Sequence, residues 1–111
     1  MRERAWPWLL LVPRRRSLRE IHELAAAERP LLIEEIARAA ATLERVFAAD
    51  KINVGALGNV VPQLHVHVVA RHRGDPAWPR PVWGALPPDP LDEAGCAERL
   101  ARIRAGLRSP G

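Results

Sequence analysis

The feature that most constrains the fold is a stretch of strict apolar and polar alternation at residues 63–69, in a chain of 111 residues. Alternation with a period of two predicts a β-strand from Leu64 to Ala70 with one buried face. The apolar residues of this stretch are expected to point into a core. The opposite face would present side chains at spacings of about 7 Å, and these are Gln63, His65 and His67. The stretch therefore predicts a strand that displays three nitrogen-bearing side chains in a row.

Two further strands are predicted from their apolar content and their turn residues. The segment 6–13 is apolar and carries a proline near each end, which is typical of a short strand at the edge of a sheet. Residues 52–54 predict a second strand. A glycine-containing connection joins it to the strand at 64–70, and this arrangement favours an antiparallel hairpin.

Two helices are predicted from apolar residues that recur at three- and four-residue spacing. The longer helix is expected within residues 26–48 and would lie across the sheet. Pro30 is tolerated only in the first turn of a helix, so the regular part should begin near Arg29. A second amphipathic helix lies near the end of the chain, where Asp89 or Asp92 is expected to cap it.

Together these elements predict one α+β domain over residues 1–111. Its architecture is an antiparallel sheet with a long helix packed across it and a C-terminal helix. Residues 5–84 would form the core of the domain, and residues 85–111 would supply a linker and the last helix. A chain of this length is close to the common size of a single domain.

The charge balance restricts the expected partners. Lys and Arg number 17 against 13 Asp and Glu, so the formal net charge is +4. A basic balance favours phosphate-bearing partners in general. The basic residues form no stripe interleaved with aromatic residues, so we do not expect a nucleic-acid partner.

The cysteine count and the apolar runs bear on the cellular compartment. Cys96 is the only cysteine, which excludes an internal disulfide and a multi-cysteine zinc site. The apolar run at residues 8–12 is too short for a signal sequence, and no segment approaches the length that spans a bilayer. We therefore expect a cytoplasmic protein with no membrane partner.

Two histidines at positions i and i+2 of one strand face admit three interpretations. They can be an inert hydrogen-bonded pair, or a zinc site completed by His22 or His72. The third interpretation is nucleophilic catalysis at phosphorus, in which a neutral imidazole attacks and forms a covalent adduct. Such a site also needs donors for the phosphate oxygens, which Asn53, Asn59 and the glycine backbone of the preceding turn could supply. The residues alone leave the inert pair and the catalytic site about equally favoured, and zinc less so.

The stretch from Asn53 to Arg71 resembles the signature of the histidine-triad (HIT) family of nucleotide hydrolases and transferases. The family motif is His-φ-His-φ-His-φ-φ, in which φ is apolar. Gln63 stands in the place of the first histidine, while His65 and His67 match the second and the third. The similarity covers about residues 5–84 and implies a HIT-like α+β fold.

The resemblance implies a role for each residue of the predicted site. His65 matches the nucleophile that attacks the α-phosphorus, and His67 matches the residue that donates a hydrogen bond to the phosphate. Asn53 matches a position that contacts ribose or phosphate, Asn59 matches a polar position of the phosphate turn, and the Gln63 amide could hold a ligand or a neighbouring imidazole. The implied substrates are purine nucleoside phosphoramidates or dinucleoside polyphosphates, with no cofactor or tightly held metal and with a homodimer as the usual assembly.

Three departures from the family pattern limit how far the family's residue roles carry over to this sequence. Gln63 cannot donate a proton as the first histidine could, and Val60 stands where many relatives have a hydroxyl. The first helix and leading hairpin of the family, which shape the base pocket, have no counterpart before Trp6 in this sequence. The alternative is a non-catalytic nucleotide-binding or dimerisation module. Trp78 or Trp83 is expected to close over the site or to reach a partner subunit, or else to cover an apolar sheet edge.

Overall fold

The alternating stretch contributes the central strand of a three-stranded antiparallel sheet. The computed structural model describes Met1 and residues 3–108. In chain order its elements are β1 (Trp8–Leu11), a 3-10 turn (Ile21–Glu23), α1 (Arg29–Phe47), β2 (Lys51–Gly55), β3 (Val66–Arg71) and α2 (Glu93–Arg108). The predicted α+β class and the three predicted strands are confirmed.

The sheet has the order β1-β3-β2, and both pairs are antiparallel. The predicted hairpin between β2 and β3 is therefore confirmed. β3 begins at Val66 and not at Leu64, because the Leu64 amide donates to the carbonyl of Leu18 in a loop. In the register of the sheet, Trp8 lies opposite Val69 and Gly55 lies opposite His67.

One face of β3 packs against the two helices, as the alternation predicts. Val68 and Ala70 are fully buried on this face, where they join Leu43 of α1 and Ile103 of α2 in one apolar cluster. The apolar stripe of α1 supplies most of this layer, and α1 begins at Arg29 with Pro30 in its first turn, as expected. No helix in the described part of the chain is both long enough and apolar enough to cross a membrane.

The opposite face of β3 is buried as well, so the prediction of a single buried face is wrong. His67, Val69 and Arg71 are 8%, 0% and 1% exposed. Tryptophans from β1 and from the proline-rich segment after β3 cover this face, in an apolar cluster that consists of Trp6, Trp8, Val69, Ala77 and Val82 with Ala5, Trp83 and Ala85 packed against it. The alternation identifies the two faces of the strand but carries no information about a second covering layer.

The two helices are in close contact at Gly106 of α2. A Cβ atom at this position would lie 2.6 Å from Cγ2 of Val46 and 2.9 Å from Cγ2 of Thr42, both on α1. Guanidinium groups of α1 also donate to the last turn of α2, from Arg38 to the carbonyl of Leu107 at 2.6 Å. The glycine therefore sets how closely α2 can dock on the helix that supports the sheet.

Asp92 forms the N-terminal cap of α2, which is one of the two predicted alternatives. Its Oδ1 accepts a hydrogen bond of 2.7 Å from the amide of Gly95. Asp89, the other predicted cap, precedes Asp92 in the linker and forms an exposed ion pair with Arg4. Its neighbour Pro90 bridges to Glu3, so the linker runs beside the beginning of the chain.

Replacement of Gly106 by alanine tests the close approach of the helices. We expect Gly106→Ala to lower the free energy of unfolding, because overpacking costs about 1–3 kcal/mol and exceeds the gain of about 1 kcal/mol that alanine brings to a helix. Urea denaturation measures the difference. Gly74→Ala is the control, because no heavy atom lies within 4 Å of a Cβ at that position. A Gly106→Ala protein as stable as the wild type would contradict this packing.

Candidate active site

His67 lies in the middle of the tryptophan layer on β3. Its Nδ1 accepts a hydrogen bond of 2.9 Å from the indole Nε1–H of Trp8. The rings of Trp8 and Trp83 both stand edge-to-face to the imidazole, each with a centroid separation of 5.6 Å. Edge-to-face contacts are a preferred geometry of aromatic pairs. His67 is therefore held by a hydrogen bond on one side and by ring packing on two.

Gly55 makes room for Trp83 beside His67. It lies opposite His67 on β2, and a Cβ at this position would be 2.9 Å from Cη2 of Trp83. Any larger residue would push the indole away, because real Cβ atoms do not approach other atoms so closely. The absence of a side chain on β2 thus allows the segment after β3 to fold back onto the sheet.

His65 precedes β3 and lies beside His67, with ring centroids 5.1 Å apart. Its Nδ1 is 2.7 Å from the main-chain oxygen of Gln63. A carbonyl oxygen only accepts hydrogen bonds, so Nδ1 of His65 must carry the hydrogen. In the neutral ring the other nitrogen, Nε2, then keeps its lone pair. The local backbone therefore presents His65 in the tautomer that a nucleophile requires.

The electrostatic surroundings favour a neutral His67. Burial of the ring lowers the pKa of His67, and the charges of His65 and of the amino terminus lower it further. A histidine has an ordinary pKa of about 6.5, so His67 is uncharged at neutral pH. The two imidazoles can therefore lie side by side without the repulsion of two cations.

A cavity of about 190 Å³ adjoins His65. Its walls include Arg19 and His22 from the segment before α1, and Leu57 and Gly58 from the loop after β2. Gly58 has a φ of +76°, a left-handed conformation that glycine adopts without steric cost. Arg19 was not predicted as a site residue, and His22 was considered only as a zinc ligand; it is exposed at the rim of this cavity. The fold brings their segment to the site without any local pattern that reveals it.

Asn53 lies on the same face of the sheet as His67 but is engaged in a different network. Its Oδ1 accepts a hydrogen bond of 2.9 Å from Nη1 of Arg71. Arg71 also forms a two-pronged ion pair with Asp75, at 2.7 Å from Nε and 3.1 Å from Nη2. The rings of Trp6 and Trp78 lie 5.9 Å and 5.4 Å from the guanidinium carbon. The carbonyl end of the Asn53 amide is thus occupied by Arg71.

Asp75 connects this network to the segment that carries Trp83. Its Oδ1 accepts hydrogen bonds from the amides of Ala77 and Trp78, at 3.0 Å and 2.8 Å. Burial alone would raise the pKa of the Asp75 carboxyl, but the hydrogen bonds from Arg71 and Ala77 outweigh it and hold the pKa well below its usual range. The buried ion pair therefore fixes the start of the segment that folds back over His67.

The other two predicted binding residues do not contact the imidazole rings through their side chains. The Gln63 amide donates to the carbonyl of Arg15 at 3.1 Å, and only its main-chain oxygen contacts His65. Asn59 is exposed in the loop next to Gly58. The structure thus brings together His65 and His67, with Gln63 supporting the first ring through its backbone.

A zinc site with a third ligand is not formed by the residues that the structure describes. Within Met1 and residues 3–108, no three His, Cys, Asp or Glu side chains are grouped so that they could hold a metal ion. Nε2 of His72, one of the proposed third ligands, is 2.9 Å from the carbonyl oxygen of Phe47.

Comparisons with known proteins agree on one family. The sequence matches the HIT domain family model over residues 2–74. A histidine triad protein from Bradyrhizobium japonicum is similar, with a TM-score of 0.92 and 43% identity over 96% of this chain and 80% of that one. A histidine triad (HIT) protein from Sinorhizobium meliloti has a TM-score of 0.92 and 47% identity over 96% and 78% of the two chains. A histidine triad protein from Marinobacter aquaeolei has the same TM-score and coverage with 45% identity. No curated protein matches the sequence.

The buried ion pair allows a stability test with a defined pH dependence. We expect Asp75→Asn to lower the free energy of unfolding at pH 7 by about 3–5 kcal/mol, because it leaves the buried Arg71 charge without a counter-charge. The low pKa of Asp75 means that its stabilisation is present above the unfolded-state value of about 3.9 and is lost as the pH falls further. The difference between variant and wild type should therefore shrink when urea denaturation is repeated at pH 3.

Asp89→Asn is the matched control for this test. Asp89 pairs with Arg4 at 3.5 Å, but both side chains are more than half exposed. Exposed ion pairs contribute about 0–1 kcal/mol, so this variant should resemble the wild type. Equal effects of the two substitutions at pH 7 would refute a structural role for the buried pair.

Proposed function

The chain belongs to the HIT domain family, and on that premise we propose that it is a nucleotide hydrolase or transferase with His65 as its nucleophile. The proposed reaction cleaves a phosphoanhydride or phosphoramidate bond at the α-phosphorus of a nucleotide. The proposed substrates are dinucleoside polyphosphates or nucleoside phosphoramidates, with a purine as the base.

The observation that carries this proposal is the hydrogen bond between Nδ1 of His65 and the main-chain oxygen of Gln63, at 2.7 Å. It leaves Nε2 of the neutral ring with a free lone pair. In the first step Nε2 forms a bond to the α-phosphorus, and the leaving group departs with the electrons of the broken bond. In the second step water attacks the phosphorus, and the bond between phosphorus and Nε2 breaks with its electron pair returning to the ring. The proton that the water loses passes to the released leaving group or to solvent, which leaves the free nucleotide and the neutral histidine.

His67 is proposed to donate a hydrogen bond to an oxygen of the reacting phosphate. Its ring centroid is 5.1 Å from that of His65, so one phosphate group can contact both imidazoles. A positioned donor is most useful when charge builds up on the phosphate oxygens in the transition state. The cavity beside His65, with Arg19 in its wall, offers space for the rest of the substrate.

Asn53, Asn59 and Gln63 are proposed as substrate-binding residues, each through a different group. Asn53 accepts from Arg71 at its Oδ1, so its amide nitrogen is the end that can donate to ribose or phosphate. Asn59 is exposed next to Gly58, where it can reach a ligand in the cavity. Gln63 contacts His65 through its main-chain oxygen. Its side-chain amide nitrogen donates to the carbonyl of Arg15, so this amide must give up that bond to donate to a substrate.

A homodimer is proposed as the functional assembly. Among the described residues β1 and β2 form the two edges of the sheet, and Val54 on β2 is 49% exposed. An open strand edge with an exposed apolar side chain is suited to pairing with another chain. In the loop that follows β2, Leu57 and Val60 are also exposed, and they extend this apolar surface.

Trapping the covalent intermediate tests the proposed nucleophile. A nucleotide labelled at the α-phosphate should leave label on the wild-type protein after rapid quenching. His65→Ala should retain none and should lower turnover by at least about 10³-fold, because the variant lacks the proposed nucleophile. His67→Ala should lower turnover by about 10²–10³-fold, as expected for the loss of one donor to the developing charge.

His72→Ala serves as the control, because His72 contacts the carbonyl of Phe47 and lies outside the pair. It should label as the wild type does. Label that persists in His65→Ala would disprove the assignment of the nucleophile. Binding of AMP by the wild type without labelling or turnover of any adenylylated substrate would favour the alternative, a non-catalytic binding or dimerisation module.

The proposed dimer is tested by sedimentation velocity. The wild type should sediment with about twice the chain mass of 12.4 kDa. Val54→Glu should shift the protein towards the monomer, because a charge on an edge strand opposes pairing with another strand. A wild-type protein that sediments as a monomer at all concentrations would contradict the proposal.

A further inference from the structure

We propose that Trp8 is a positioning residue for the active site, which holds His67 as the neutral imidazole with its only hydrogen on Nε2. This proposal rests on the proposed function. It explains why His67 has an N–H at Nε2 that can donate to the substrate phosphate. The carrying observation is the buried hydrogen bond of 2.9 Å between Nε1 of Trp8 and Nδ1 of His67.

The direction of this hydrogen bond follows from the chemistry of the two rings. An indole N–H only donates, so Nδ1 of His67 must accept and cannot carry a hydrogen. The hydrogen of the neutral ring is then on Nε2. Protonation of Nδ1 would set two N–H groups against each other at 2.9 Å, so the same contact opposes formation of the imidazolium.

Trp8 is itself held firmly enough to impose this state. It is 7% exposed and lies opposite Val69 in the ladder between β1 and β3. Its ring stands edge-to-face to Trp6 at 6.4 Å and to Trp83 at 6.2 Å. The contrast with Trp83 is informative, because the indole nitrogen of Trp83 is buried without a partner in the described chain. Among the two indoles that pack on His67, only Trp8 forms a hydrogen bond with it.

The charged and titratable groups around His67 act in the same direction. His65 faces His67 from the loop before β3. The ammonium group of Met1 donates a hydrogen bond of 2.6 Å to the carbonyl of Trp8. Burial lowers the pKa of His67, and a positive charge on His65 or on the amino group would lower it further. The neighbours across the sheet, Leu10 and Gly55, and the covering Trp83 carry no charge. No acidic group in this set favours protonation.

The two rings would then have different roles in the reaction, one as the nucleophile and the other as the hydrogen-bond donor. His65 carries its hydrogen on Nδ1 and offers a lone pair at Nε2, while His67 accepts at Nδ1 and offers a hydrogen at Nε2. A cationic His67 would disfavour the positive charge that the His65 ring acquires when its Nε2 bonds to phosphorus. Trp8 thus supplies a donor without placing a positive charge beside the attacking nitrogen.

The test is an NMR titration of the histidine ring nitrogens in the free protein, which needs no substrate. In the wild type, His67 should carry its hydrogen on Nε2 at neutral pH. Its pKa should lie below the ordinary value for a histidine. Trp8→Phe keeps an aromatic ring and removes the donor, so His67 should protonate at a higher pH. A tryptophan analogue at position 8 with sulfur in place of the ring N–H should give the same result with the bicyclic shape preserved.

Trp6→Phe is the matched control, because it removes an indole from the same cluster that is not bonded to His67. Its His67 titration should follow that of the wild type. In steady-state kinetics both Trp8 variants should lower kcat more than they change KM, by about tenfold or more. Identical His67 titrations in the wild type and the sulfur analogue would overturn the proposal. The titration can succeed even if no nucleotide is turned over, so failure of the proposed function would be seen separately.

Discussion

Burial of β3 on both faces is the constraint on which the rest of the structure depends. One face is covered by α1 and α2, and the other by tryptophans from β1 and from the segment after β3. A strand enclosed in this way cannot leave polar groups unpaired, because an unsatisfied buried donor or acceptor costs about 1–3 kcal/mol. Each polar side chain of β3 is accordingly matched, His67 by Trp8 and Arg71 by Asp75 and Asn53. The pairing that satisfies His67 also determines which of its ring nitrogens can donate a hydrogen bond.

The two pairings on this strand have different consequences: the one at Arg71 holds the chain in place, and the one at His67 acts on the proposed site. Arg71 and Asp75 fix the turn from which the proline-rich segment returns over the sheet, and the amides of Ala77 and Trp78 bond to the same carboxylate. Four residues earlier, His67 is held by a neutral donor instead of a charge. A carboxylate in that position would have raised the pKa of His67 and made it a cation. The indole keeps it neutral and still satisfies its nitrogen.

Much of the fold follows from local patterns in the sequence, and the parts that do not are long-range. Alternation places β3, the apolar spacing places α1 with its start at Arg29, and Asp92 caps α2 as one of the two expected residues. The nearness of His65 and His67 follows from their spacing. The bond between Trp8 and His67 joins residues 59 positions apart, and no local pattern specifies that register. Arg71 and Asp75 lie in a polar run typical of a solvated turn, and only the packing of Trp6 and Trp78 reveals them as buried.

The fold sets two adjacent imidazoles in opposite orientations, one fixed by a backbone carbonyl and the other by an indole N–H. Neutron diffraction from a deuterated crystal at neutral pH measures this directly, because it locates the deuterium atoms on the rings. We expect deuterium on Nδ1 of His65, directed at the oxygen of Gln63, and on Nε2 of His67 with Nδ1 bare towards Trp8. Deuterium on Nδ1 of His67, or a bare Nδ1 on His65, would contradict this arrangement.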